Sequence, residues 1–163
     1  MFRIKAVFLP VVFFIVFGIF GCTPKLIPGT KIKDTPDTRA IAVLVTEKYR
    51  RAMESKDIDT IMSLASTKYY EDESNTDSTD DFNYAGLKEK LKSRFKIVKT
   101  VILDITLADV IADREKGTAT VKYHYILKFL VNYPSIEKWE VSSDDAKMEL
   151  VLENGEWKVL KGL

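Results

Sequence analysis

The residues that could do chemistry in this chain are few. Cys22 is the only cysteine and His124 the only histidine. One of each gives neither a zinc site nor a nucleophile–histidine pair enough ligands or partners. Alternation along its strand sets His124 on an outer face with Lys122 and Lys128, and no orienting partner lies near it in the sequence. Ser142-Ser143 falls in a polar stretch without the glycine-flanked elbow of a serine nucleophile. No glycine-rich phosphate loop occurs. Residues 71–83 hold six carboxylates and no basic group, but Asp72, Asn75, Asp77 and Asp81 do not keep the spacing of a calcium loop, and the glycine of its sharp turn is absent. That stretch reads as a solvated acidic loop. No cofactor and no metal site is expected.

Cys22 stands at a boundary. Arg3 and Lys5 precede an apolar run from Ala6 to Phe20, and Gly21 sits just before the cysteine. A charged start, a run of that length and a small residue at the cut make a secretory signal peptide. The run is short for a membrane span, which needs about 20 apolar residues. Ile19-Phe20-Gly21-Cys22 resembles the lipobox of bacterial lipoproteins. The resemblance implies cleavage between Gly21 and Cys22 and a diacylglycerol on the Cys22 thiol, with membrane lipid as a partner. Thr23 after the cysteine, rather than aspartate, implies an outer-membrane address facing the periplasm or the surface. Two or three acyl chains hold a protein stably where one holds it marginally. The expected organisation is a signal peptide over 1–21, a lipidated cysteine and flexible tether over 22–35, and one domain over 36–163.

Removing residues 1–21 of the 163 takes away two of the 25 basic side chains and none of the 24 acidic ones, so the remainder is close to neutral. Such a balance offers nucleic acid nothing to hold.

The domain must be built from its apolar pattern. Thr35 and Pro36 suit a helix start, with Asp37 in the first turn. Ile41, Leu44, Val45, Tyr49, Ala52 and Met53 then share one face, predicting a helix over about 36–55. Asp57 caps a short second helix marked by Ile58, Ile61, Met62 and Ala65. A third runs from Tyr84 to Lys96, with Tyr84, Leu87, Leu91, Phe95 and Val98 inward and its lysines in water. From Lys99 the period falls to two. Val101, Leu103, Ile105 and Leu107 form one face of a strand, and Asp109 continues that face. Ala119, Val121, Tyr123, Tyr125, Leu127 and Phe129 form one face of the next. Residues 136–146 read as a strand carrying a loop, with Trp139 sealing the interior. Lys147 to Glu153 and the residues from Trp157 are strands joined by Asn154-Gly155, a strong hairpin signal. The fold class is α+β: three N-terminal helices packed in a curved antiparallel sheet of about four strands, preceded by the signal peptide and tether.

The long opening helix, the step Lys56-Asp57-Ile58-Asp59-Thr60-Ile61 and the closing Asn154-Gly155-Glu156-Trp157-Lys158-Val159 resemble the nuclear-transport-factor-two-like (NTF2-like) superfamily of cone-shaped α+β domains over about residues 36–163. Members include isomerases, cyclases, dehydratases and binding proteins, so the fold does not supply a function. The resemblance also makes a homodimer through the open sheet face plausible. Its proton-shifting members use a carboxylate base and a tyrosine that stabilises an enolate oxygen, inside an apolar cone that tunes their pKa. Here Tyr49, Leu107, Asp109, Tyr123, Tyr125 and Leu127 mark the expected pocket. Asp109 is the only acid among them, and it reads better as the solvated end of a strand than as a base. The expectation is an anchored, non-catalytic binding or scaffold module for a small apolar ligand or an envelope protein. The alternative is a small isomerase- or cyclase-like enzyme using Asp109 and the tyrosines.

Overall fold

The computed structural model describes residues 24–72, 78–134 and 136–163. Gly21 and Cys22, and with them the cleavage and acylation expectations, lie outside the described residues.

Thr35 and Thr38 form a reciprocal cap: the Thr38 amide donates to Thr35 Oγ1 (3.1 Å) and the Thr35 amide to Thr38 Oγ1 (2.9 Å). From there α1 (Pro36–Val43) runs through a π-helical segment (Leu44–Tyr49) into α2 (Arg50–Ser55), one continuous rod over the predicted span. The wider π turn is the local departure from the 3.6-residue period. It leaves Leu44, Val45 and Tyr49 all buried. Lys56 in the left-handed region (φ 55°) stops the rod, and Asp57 caps α3 (Ile58–Leu64).

The segment before α1 is not free over its length. Leu26 bridges Lys33, the Ile27 amide donates to the Ile32 carbonyl (2.9 Å), and Ile32 is buried in the core. Ile32, with Ile27 partly buried against the core, docks what composition marks as tether. The acidic stretch is likewise pinned at both ends, because β1 (Tyr70–Glu71) pairs with β2 (Phe82–Asn83). Glu71 is buried and accepts from the Gly162 amide (2.8 Å) and the Tyr69 hydroxyl (3.3 Å). It is a structural acceptor and not part of a solvated loop. Asn83 then caps α4 (Tyr84–Ile97) by accepting from the Ala85 and Gly86 amides.

The main sheet is an antiparallel meander of β3 (Val98–Asp113), β4 (Thr118–Tyr133), β5 (Ile136–Glu153) and β6 (Glu156–Lys161) in that order. Its concave face wraps the helices over a core in which Ile41, Val45, Ile61, Val121, Met148 and Val159 are fully buried. The Trp157 indole donates to Asp37 (3.1 Å), tying the last strand to the start of α1. Asn154 (φ 51°) and Gly155 (φ 83°) make the expected hairpin turn, which needs positive φ at both positions.

Two features of the sheet differ from the alternation in the sequence. A register shift between Leu107 and Asp109 leaves Ala108 as an extra residue. Beyond it Val110 pairs with the buried Val121, and Asp109 pairs with Lys122 on the opposite face. The bulge therefore turns Asp109 away from the face of Leu103, Ile105 and Leu107. Without it, Val110 and Ala112 would lie outside and two aspartates, Asp109 and Asp113, would face the core.

The second difference is β5. Residues 136–146 carry no internal loop and pair with β4 throughout, from Tyr133↔Ile136 to Tyr123↔Ala146. This part of β5 extends past β6, which pairs only with Glu149–Glu153. Trp139 does not seal the cone. It stands opposite Leu130 on the outer face and is 49% exposed, while its inward neighbours on the strand are Lys138 and Glu140. The other sheet edge is occupied: Glu54 accepts from the Leu103 amide (3.1 Å), and the Lys56 ammonium donates to the carbonyls of Val98 (2.9 Å) and Lys99 (3.2 Å).

Candidate functional site

The cone forms a partly open hollow of about 240 Å³ between the rod, α4 and the sheet. Tyr49 reaches it from the end of the π segment, Arg94 from α4, and Tyr123, Tyr125 and Leu127 from the inner face of β4. A second hollow of about 430 Å³ shares Met53, Arg94 and Leu127 and continues along Phe95, Val101 and Phe129 toward Tyr133 and Glu140. The larger volume falls within the usual range for small-molecule sites.

The tyrosines give the inner hollow its chemistry. Tyr49 and Tyr123 are both more than nine-tenths buried, and neither hydroxyl has a hydrogen-bond partner among the described residues. Tyr125 Oη lies 3.4 Å from Ser142 Oγ, a long contact. The Tyr123 and Tyr125 rings are tilted at 50° with centroids 6.4 Å apart. Burial pushes the Tyr49 phenol up to about 12, and the Arg94 charge opposes that rise. Burial raises Tyr123 further, helped by the phenols of Tyr49 and Tyr125. Near neutral pH these groups are therefore neutral. They can donate to an oxygen on a ligand, and they cannot serve as bases.

Of the expected pocket residues, Tyr49, Tyr123, Tyr125 and Leu127 come together in the hollow. Leu107 pairs with Tyr123 across the strands and packs against the core instead. Asp109 is on the other face. No acidic side chain among the described residues lines the inner hollow. Arg94 is the addition that sequence reading missed. A signal was present: residues 84, 87, 91, 94 and 98 step by three and four, so Arg94 occupies a place on the apolar stripe.

A second polar cluster lies on the outer face. His124 Nδ1 is 2.9 Å from Asp145 Oδ1, and Ser143 Oγ is 3.1 Å from His124 Nε2. The orienting partner absent from the local sequence arrives through the β4–β5 register. These contacts follow the order of a serine–histidine–aspartate triad. Yet the Asp145 side chain is 90% exposed and that of His124 47% exposed. The nearest hollow, about 330 Å³, touches Asp145 but neither His124 nor Ser143. Nothing holds a substrate against the serine, and water screens the pair.

A polar groove of about 440 Å³ beside α2, α3 and β6 is satisfied internally. Arg51 pairs with Glu47, Asp57 with Thr60, and Lys158 with Glu156 and the Ser63 carbonyl. Among the described residues no group of side chains could hold a metal ion, and no helix is long and apolar enough to cross a membrane.

No family model matches the chain, and no curated protein does. Solved structures do. The chain is similar to a conserved protein from Planctomyces limnophilus (TM-score 0.65, 16% identity, 77% of this chain and 92% of that one). It is similar to a protein from Novosphingobium aromaticivorans described as a scytalone dehydratase (TM-score 0.64, 12% identity, 77% and 80%). A ketosteroid isomerase-like protein from Erwinia carotovora atroseptica also matches (TM-score 0.59, 13% identity, 76% and 89%). At these identities the likeness shows the fold, the NTF2-like cone.

Proposed function

We propose that this chain is a lipid-anchored envelope protein, held by an acylated Cys22, whose cone is a non-catalytic module for a small and mostly apolar ligand. The observation that carries the binding part is the inner hollow: its walls are aliphatic and phenolic with Arg94 beside them, and among the described residues two of its hydroxyls have no partner and no acidic side chain lines it. A site for proton transfer needs a base within reach of the substrate. A binding site needs only apolar walls and a few oriented polar groups. The anchoring part is supported by residues 3–22, whose charge, apolar run and Gly21-Cys22 ending fit export and acylation.

Native mass spectrometry of the detergent-extracted full chain tests both parts. The expected spectrum carries the mass of a diacylglyceryl group, lost in Cys22→Ala, and a small-molecule adduct that survives in that variant. Equal masses for the two proteins would remove the anchor. A cone that never retains a ligand from any extract would remove the module.

The second reading is a small isomerase- or dehydratase-like enzyme. The names of two structural neighbours favour it, as do neutral tyrosines placed to donate to an oxyanion. Against it, no acidic side chain among the described residues lines the hollow, and Asp109 faces away from it.

A further inference from the structure

If the cone holds a ligand, the reading on which this inference rests, its polar groups describe that ligand. Every polar side chain of the inner hollow is able to donate. Among the described residues the hydroxyls of Tyr49 and Tyr123 have no partner, and Arg94, an exposed side chain that lines the hollow, makes neither a hydrogen bond nor an ion pair. A guanidinium offers five N–H donors in a planar fork and accepts nothing. Among the described residues Arg94 is the only cationic side chain lining either of these two hollows. The one acid there, Glu140 at the far end of the outer hollow, already takes the Lys138 ammonium (3.1 Å) and the Tyr133 hydroxyl (3.3 Å).

The rest of α4 sharpens the contrast. Lys88 pairs with Asp59 and Lys92 with Glu89, while Lys90 lies 3.8 Å over the Phe82 ring. A cation in the last turn also favours the helix dipole, but Lys96 supplies one there. That role does not require a guanidinium turned to the cavity. Next to Arg94 the surface becomes apolar, through Phe95, Val98, Val101, Phe129 and Val131.

We infer that the ligand is a monocarboxylate with an apolar tail: its carboxylate is held by Arg94 with the hydroxyls of Tyr49 and Tyr123, and its tail lies along Phe95, Val101 and Phe129. A carboxylate takes the guanidinium fork with two parallel bonds and keeps lone pairs for the phenols. A neutral alcohol of the same chain length keeps the tail contacts and loses the charge-assisted bonds. A free organic cation is refused by Arg94.

The test is equilibrium dialysis of radiolabelled octanoate and, separately, radiolabelled octanol against the full chain in phosphatidylcholine nanodiscs, with empty nanodiscs as the blank. The wild type is expected to bind octanoate at least about tenfold more tightly than octanol, as hydrogen bonds to a charged group would give. Arg94→Met should erase that preference and retain octanol, because methionine keeps both helix propensity and apolar length. Tyr123→Phe should weaken octanoate several-fold and leave octanol unchanged. Arg94→Gln, equally uncharged, serves if circular dichroism shows the methionine variant unfolded. Equal binding of the two probes by the wild type, or a preference that persists without Arg94, overturns the carboxylate assignment and leaves the ligand-holding reading in place. Binding of neither probe by the wild type overturns both.

Discussion

Two polar clusters sit on opposite faces of the same strand. On the outer face Ser143, His124 and Asp145 are joined by hydrogen bonds of 3.1 and 2.9 Å, in the order of a catalytic triad. On the inner side the buried Tyr49 and Tyr123, with the exposed Arg94 beside them, have no hydrogen-bond partners among the described residues. Geometry alone would favour the outer set, but burial reverses that judgement. The outer groups are satisfied by one another and by water, so a ligand has little to gain by displacing those contacts. The inner tyrosines are mostly buried and their hydroxyls have no partner among the described residues, so a ligand in the hollow can take bonds that no side chain there satisfies. An unfinished hydrogen-bond inventory in a cavity is better evidence of a site than a finished one on a surface.

Adjacent residues can break this contrast. Tyr123→Ala empties part of the interior and should cost about 3 kcal/mol or more in urea unfolding. His124→Ala, one residue along, should change stability by no more than about 0.5 kcal/mol. Similar losses from both would mean that the two faces are not buried as described.

Alkali gives the next largest effect. Tyr49 has a folded pKa of about 12 against an ordinary 10.0, so its stabilising contribution is complete below pH 10 and lost as pH rises through about 12. Burial shifts Tyr69 and Tyr123 in the same direction. Stability should therefore fall in alkali, and tyrosinate absorbance from these phenols should develop only with unfolding. Tyr49→Phe should flatten the fall near pH 10–12. A wild-type chain whose tyrosines all ionise together near pH 10 while still folded would contradict a closed cone.

Removing single hydroxyls is subtler. Tyr123→Phe should hold or slightly raise the stability of the unliganded protein, because that hydroxyl has no partner to lose among the described residues. Tyr69→Phe should cost about 1 kcal/mol, since its hydroxyl donates to Glu71 and accepts from the Leu163 amide (3.1 Å). The smallest effect is expected from Ser143→Ala. Its stability should stay within about 0.5 kcal/mol of wild type, and hydrolysis of p-nitrophenyl acetate should be unchanged. A large loss of hydrolysis would move the chemistry to the outer face.

What the sequence made legible follows from where neighbours disagree in polarity. Thr35-Pro36 and the Ile41–Met53 stripe marked the long rod, and alternation along β4 placed Tyr123 and Tyr125 inward. The bulge at Ala108 was hidden because Leu107-Ala108-Asp109-Val110-Ile111-Ala112 supports either phase, and only pairing with Val121 and Ala119 decides between them. In the outer part of β5 both faces meet water, so Trp139 and Val141 gave no reliable inside. Ser143 and Asp145 meet His124 only through inter-strand register. Arg94 was hidden by its charge: a long side chain can lay its stem along apolar surface, and its residue type does not reveal where its head ends.

The two margins of the sheet have one further consequence. Along β3, Glu54 and Lys56 occupy backbone groups that another chain could otherwise pair with. Along β5 beyond the reach of β6 no described strand does so, and an open margin of that length invites strand addition and aggregation. Glu137, Lys138, Glu140, Asp144, Asp145 and Lys147 interrupt that stretch with charge of both signs. They act as gatekeepers, since a copy stacking there in register would bring like charges face to face. The polar side chains that made β5 hard to read are thus what keeps its edge soluble at high local concentration.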